Sequence, residues 1–275
     1  MSKKSLIFSI IITLIAVAYL VFVSKWSEIH KEIVRYRLYY ALKKYNNASI
    51  EMPGAMVTAD GLKIFINGKN IKDFSPVGRL SCLSLGIKDI SVPDLNFLTP
   101  GQKIKELSIM TTSTLTDISS LKHLKLEVLS IFAPNLTDIS PIAEHPIKNL
   151  MIGCEKLSDL SPLKKLTKLK SLSLTGTFSN VDFLTELPQL ERLFIRSNNV
   201  EDFSALKHLK NLKRLLIRNH NLTDFTFLQH LGNINSVYID AGDQMIWDFD
   251  KIKISPSVKK FEYNEKGLLK ELKRR

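Results

Sequence analysis

Two hydrophobic patterns divide the chain. From Leu6 to Val23, 18 residues run without a charge, with nothing more polar than Ser9 and Thr13 near their middle. Wound as a helix at ~1.5 Å per residue this run is about 27 Å long, close to the ~30 Å hydrocarbon thickness of a bilayer. A run apolar on every side predicts a transmembrane segment. Beyond about residue 60 the pattern becomes short and recurrent: two aliphatics two apart, a turn, an aliphatic five residues on, then Asp, aliphatic, Ser, Pro or a small residue, and Leu.

The clearest copy is Leu150-Met151-Ile152, Leu157, Asp159-Leu160-Ser161-Pro162-Leu163. Others end in Asp73-Phe74-Ser75-Pro76-Val77, Asp138-Ile139-Ser140-Pro141-Ile142 and Asp224-Phe225-Thr226-Phe227-Leu228. The second aliphatics of the pairs are read as Ile66, Leu85, Ile109, Ile131, Ile152, Leu174, Ile195, Ile217, Ile239 and Tyr263, with gaps of 19, 24, 22, 21, 22, 21, 22, 22 and 24. A pair spaced by two puts both side chains on one face of a short strand and turns the middle residue outward. Repetition at this period predicts stacked coils that bury one another's leucines. Ten coils at ~4.8 Å per strand make an arc of roughly 45–50 Å. Ser-Pro at 75–76, 140–141, 161–162 and 255–256 suits an N-cap followed by a first helical position. Coils this short leave room on the convex side for single turns or 3₁₀ segments only.

These copies resemble leucine-rich repeats of the internalin type, related to those of the regulatory subunit of protein phosphatase 1, over about residues 60–265. The resemblance implies an α/β solenoid with a parallel concave sheet, and a family that binds unrelated partners. It also implies an Asn three residues after each second aliphatic, of which only Asn198 is present. No carboxy-terminal wall-sorting signal accompanies the repeats.

Between anchor and repeats, Ser27 to Tyr45 reads as a helix. Ile29, Ile33, Tyr36 and Tyr40 recur at spacings of four, three and four, with Val34, Leu38, Ala41 and Leu42 widening the stripe. Such a helix either lies on anionic lipid or caps the first coil. The expected organisation is therefore 1–24 signal anchor, 25–59 basic amphipathic helix and cap, 60–265 repeats and 266–275 basic tail.

The formal charge of +12 invites a nucleic-acid reading until it is located. Residues 1–24 carry +2, 25–50 carry +4 and 251–275 carry +6, so the stretch between is neutral. A neutral body with basic ends excludes nucleic-acid binding by charge. Lys3 and Lys4 with Ala16-Val17-Ala18 also fit a cleaved signal peptide. Cleavage there would leave the apolar stub Tyr19 to Val23, so an uncleaved single-pass anchor is favoured. Basic residues on both flanks leave the side of the membrane open by count, and the repeats are assigned to the extracytoplasmic side.

No catalytic, cofactor or metal residues emerge, and no enzyme is expected. His123, His208 and His230 sit at equivalent repeat positions, too many coils apart to share one ion. Cys82 and Cys154, three coils apart, are about 14 Å from one another by strand spacing, beyond disulfide reach. Asn47-Ala48-Ser49, Asn135-Leu136-Thr137 and Asn221-Leu222-Thr223 fit the glycosylation triplet, two of them as repeat pattern.

The residues between and beside the strand aliphatics carry the functional signal. Toward the carboxy-terminal half they become Arg192, Phe194 and Arg196, then Arg214, Leu216 and Arg218, then Ser236, Tyr238 and Asp240. Stacked arginines in adjacent strands repel unless an anion sits between them, and the apolar residues beside them suit interface anchors. The site predicted for a protein partner, an acidic segment, is Arg192, Phe194, Arg196, Arg214, Leu216, Arg218 and Tyr238. The alternative is a solvated surface balanced by Glu191, Glu201 and Asp240. At the level of the whole protein, the leading reading is a membrane-anchored, non-enzymatic scaffold. Its rivals are an organiser gripping anionic lipid through the basic ends, and a regulator of an enzyme such as a phosphatase.

Overall fold

The computed structural model describes residues 3–46, 50–58, 61–111, 114–232, 234–242, 245, 247–249, 252–265 and 267–272, with the backbone alone at 3–16, 19 and 20. One helix, α1 (Lys3–Asn46), precedes a single sheet of twelve strands paired in chain order. The strands are β1 (Gly54–Thr58), β2 (Gly61–Asn67), β3 (Ser84–Ile90), β4 (Glu106–Thr111), β5 (Val128–Phe132) and β6 (Asn149–Cys154). They continue as β7 (Ser171–Gly176), β8 (Arg192–Arg196), β9 (Arg214–Arg218), β10 (Ser236–Asp240), β11 (Lys260–Glu265) and β12 (Leu268–Glu271).

Strands β2 to β11 are parallel, one per coil, while β1 and β12 add antiparallel hairpin edges. The chain is a leucine-rich repeat solenoid. Its interior is one continuous core of stacked aliphatics from Leu38 to Phe261. Convex 3₁₀ segments lie at Ser75–Arg79, Ser119–His123, Ser140–Ile142, Ser161–Lys165, Asp182–Glu186, Ser204–His208 and Thr226–His230.

The strand register corrects the second coil. Ile64 pairs with Leu85 and Ile66 with Ile87, which pairs in turn with Ile109. The second aliphatic there is Ile87, not Leu85, and the irregular gaps of 19 and 24 become 21 and 22. Cys82 then stands three residues before the pair Leu85 and Ile87, where later coils have Leu169, Leu190 and Leu212. It is a buried core residue in a leucine's place.

The convex turns are also capped differently from expectation. Phe74, Ile118, Ile139, Leu160, Phe203 and Phe225, not the following Ser or Thr, occupy the N-cap, and none caps with its side chain. The repeat Asp does that work from one residue further back. Asp138 Oδ1 accepts from the Ser140 amide at 2.7 Å, and Asp73, Asp117, Asp159, Asp202 and Asp224 repeat the bond. A short side chain that ties the backbone two residues on holds each turn open for the 3₁₀ segment.

Both ends of the core are covered. Leu38 and Leu42 of α1 are buried against the first coil, and Asn46 Oδ1 accepts from the Lys72 and Asp73 amides at 2.7 Å. At the far end Trp247 packs against Phe225, Phe249 and Tyr263 at centroid distances of 5.3, 5.7 and 4.9 Å. Its indole N–H donates to the Asn264 carbonyl at 2.7 Å.

The sequence suggests two helices before the repeats, but the backbone of α1 is helical without a break. No Gly or Pro interrupts it from Lys3 to Asn46. Among the described residues no helix is long and apolar enough to cross a membrane. The expected span Leu6 to Val23 falls largely on residues outside the described side chains.

Candidate functional site

Every parallel strand turns its middle residue, and one on each side of the aliphatic pair, to the concave face. In β8 and β9 the register sets Arg192 opposite Arg214, Phe194 opposite Leu216 and Arg196 opposite Arg218. In β10, Ser236 continues the first row, Tyr238 the middle row and Asp240 the third. All seven predicted residues therefore share one surface, the four arginines exposed and the three middle residues half-buried. Five of them, Arg192, Arg214, Phe194, Leu216 and Tyr238, line a groove of about 570 Å³, while Arg196 and Arg218 lie outside it. Glu262 and Leu269, the latter on β12, close its carboxy-terminal end and were not expected from the sequence. Leu269 had been read as part of a tail, and only its pairing through Asn264 places it here.

The charge balance around the arginines is uneven. Glu191 is held by Lys213 at 2.7 Å and Lys170 at 3.8 Å. The hydrogen bond from Lys213 comes first among the causes that hold its carboxyl below the usual range, while Arg192 adds only a coulombic pull. Asp240 faces Arg218 Nε and His220 Nε2, each at 3.7 Å, and accepts from Asn264 Nδ2 at 3.0 Å. Burial raises the Tyr238 phenol first, and Asp240 adds to it, while a side-chain hydrogen bond with Arg218 opposes the rise. Among the described residues neither Arg196 nor Arg214 has a carboxylate partner. Of the three balancing acids considered from the sequence, only Asp240 reaches an arginine of the group as an ion pair.

A second hollow of about 340 Å³ lies at the amino-terminal end of the same face, lined by Met52, Phe65, Gly86, Ser108 and Met110. The Phe65 ring rests over Gly86, where an added Cβ would stand 2.9 Å from it. Phe132, one coil past Met110, covers Gly153 in the same manner. Apart from Met52, which precedes β1, these residues continue two rows of the arginine group, the middle row through Phe65, Gly86 and Ser108 and the third through Met110, Phe132 and Gly153. Both were readable from the repeat register once Ile87 was placed.

The remaining candidates are structural. His123, His208 and His230 each end a convex 3₁₀ segment. Among the described residues no group of three or more His, Cys, Asp or Glu is arranged to hold a metal ion. Cys82 and Cys154 are buried free thiols, pushed up to about 11 by desolvation.

No protein-family model matches the chain, and no curated protein matches it. Solved structures do. An internalin C2 from Listeria monocytogenes is 24% identical with a TM-score of 0.54, the match covering 64% of this chain and 80% of that one. The internalin inlF from the same organism is 23% identical with a TM-score of 0.53, covering 70% of this chain and 65% of that one. The likeness is one of fold, that of the leucine-rich repeat solenoid.

Proposed function

We propose that this chain is a membrane-anchored, non-enzymatic scaffold that binds an acidic protein segment on its concave face. The observation that carries the reading is the unbalanced arginine surface. Arg192 over Arg214 and Arg196 over Arg218 crowd like charges onto adjacent strands, about 5 Å apart. Among the described residues only Arg218 of the four has an ion pair, with Asp240 at 3.7 Å. An acidic segment laid across β8 and β9 relieves that repulsion, while Phe194, Leu216 and Tyr238 receive an apolar side chain between the charges. The solved internalins lend the fold to this reading and not the ligand.

The anchor rests on the uncharged run from Leu6 to Val23. The unbroken helix from Lys3 to Asn46 agrees with it. Val34, Leu38 and Leu42 pack on the first coil, so at ~1.5 Å per residue the free stretch between Val23 and Val34 holds the repeats about 15 Å from a bilayer. That continuity argues against a helix lying along the lipid surface, and so against the organiser. The repeats are placed on the extracytoplasmic side.

The binding test uses a fluorescent peptide with acidic residues flanking one aromatic, titrated with the full chain in detergent. Ser at positions 192, 196, 214 and 218 together should weaken binding about tenfold or more at low salt, with the circular dichroism unchanged. Equal affinity of the two proteins removes this site. Alkaline carbonate extraction of membranes tests the anchor separately, and release into the supernatant rejects it.

A further inference from the structure

The exposed face of α1 carries a second pattern. Phe22, Trp26, Ile29, Ile33, Tyr36 and Tyr40 are 63%, 61%, 52%, 43%, 48% and 62% exposed, a continuous apolar stripe that no other element packs upon among the described residues. Their spacings are 4, 3, 4, 3 and 4. A strict alternation of three and four is the a/d signature of a coiled-coil seam, narrower than the face a helix needs for packing on a globular body. The body uses the opposite side of α1. Val34, Leu38 and Leu42 take b, f and c positions of the same heptad and pack on the first coil. What reads in the sequence as one wide stripe is two faces, one satisfied and one not.

The flanking charges identify the occupant. With Ile33 at an a position, Glu32 is g and Arg37 is e. In a parallel pair a g residue meets the e residue five positions on in the other helix, so Glu32 meets Arg37 of a second copy in both directions. Arg37 has no ion pair within its own chain among the described residues. Glu32, held by Arg35 at 2.8 Å, keeps lone pairs for a second cation. An antiparallel pair would set e against e and g against g, placing Arg37 and Glu32 near their own kind. Parallel order is also what two chains anchored in one bilayer require, and in that respect the inference rests on the anchor reading; the seam itself does not. We infer that α1 pairs in parallel with α1 of a second copy of this chain through the Phe22–Tyr40 stripe, presenting two solenoids side by side.

The test is disulfide cross-linking of the full chain in membranes, where Cys82 and Cys154 are buried and give a quiet background. Ile29→Cys, Ile33→Cys and Tyr36→Cys, each made singly, should give disulfide dimers under mild oxidation, while the exposed off-seam Glu28→Cys should not. Arg37→Glu in the Ile33→Cys background should cut the yield about threefold, and Glu32→Arg with Arg37→Glu should restore it. Equal yields on and off the seam mean random collision and overturn the inference, as does no dimer at any seam position. If carbonate extraction releases the protein, the same series run in the soluble fraction still decides the seam, because the anchor and the pairing then fail or stand separately.

Discussion

The side-chain amide of Asn219 donates to the Val200 carbonyl at 2.6 Å, and its oxygen accepts from the Asn221 amide at 3.0 Å. Asn219 is fully buried, and its own backbone N–H reaches the Asp240 carbonyl at 2.9 Å. One residue thus ties three coils, its side chain joining two of them and its backbone the third. The resemblance to internalin-type repeats places such an Asn three residues after the second aliphatic. Here the buried tie sits two residues after it, where Ser197 also donates through Oγ to the Phe178 carbonyl at 2.7 Å.

Asn219→Ala is therefore expected to destabilise the solenoid by about 1–3 kcal/mol, because it strands a buried carbonyl and an amide together. Asn198→Ala, at the position the family pattern favours, should cost less. Its side chain is exposed and accepts only from the His220 amide at 2.9 Å. Urea denaturation of the two variants checks the order, and a larger loss at Asn198 would contradict it.

Gly176 sits at the same repeat position, two residues after Leu174, and is half-buried. A Cβ there would stand 2.5 Å from the Cys154 carbonyl oxygen, a backbone atom that cannot swing away. Gly176→Ala should cost about 1–3 kcal/mol as overpacking. Gly232→Ala, with open space around its Cβ, should be neutral or slightly stabilising through the unfolded chain. Thermal melts of the pair decide it, and similar midpoints would mean that this position is not close-packed.

The repeat was legible because each strand aliphatic recurs in a fixed frame, and it failed where the frame was ambiguous. Leu83-Ser84-Leu85-Gly86-Ile87 holds two overlapping pairs, and choosing between them requires reading Cys82 as a core residue. A free thiol behaves as a small hydrophobe, but its chemistry draws attention first. The arginine surface was legible for the same reason as the core, since residues between core positions face out together. Leu269 was not, because a hairpin edge strand carries no repeat pattern. The two faces of α1 were not separable either: Leu38 and Tyr36 look alike in periodicity, and only packing shows that one is buried and the other is not.

The thiols offer a direct check on core placement. Cys82 and Cys154 are each buried and pushed up to about 11, so little thiolate exists near neutrality and access is closed. A thiol reagent should leave both unmodified in the folded protein at pH 8 and titrate two in denaturant. Fast modification of Cys82 in the native state would show that it does not fill a leucine's place in the second coil.

His145 makes stability depend on pH. It is buried beyond the Ser140–Ile142 segment, and its Nδ1 accepts from the buried Leu126 amide at 3.2 Å. That bond requires Nδ1 to be unprotonated. Burial holds the imidazole below its ordinary value of 6.5, with the Pro141 and Leu121 backbone pulling weakly the other way. In the unfolded chain it titrates near the ordinary value, so below about 6.5 the unfolded state binds a proton that the folded state refuses. The stability is fully present above that value and is lost as pH falls from it toward the depressed folded pKa. His145→Gln keeps an acceptor for Leu126 and cannot titrate. Denaturation midpoints of the natural chain should fall more steeply between pH 7 and about 5 than those of the variant. Parallel curves would mean that protonation is accommodated at His145 without breaking the Leu126 bond, and would place the acid sensitivity on the exposed carboxylates instead.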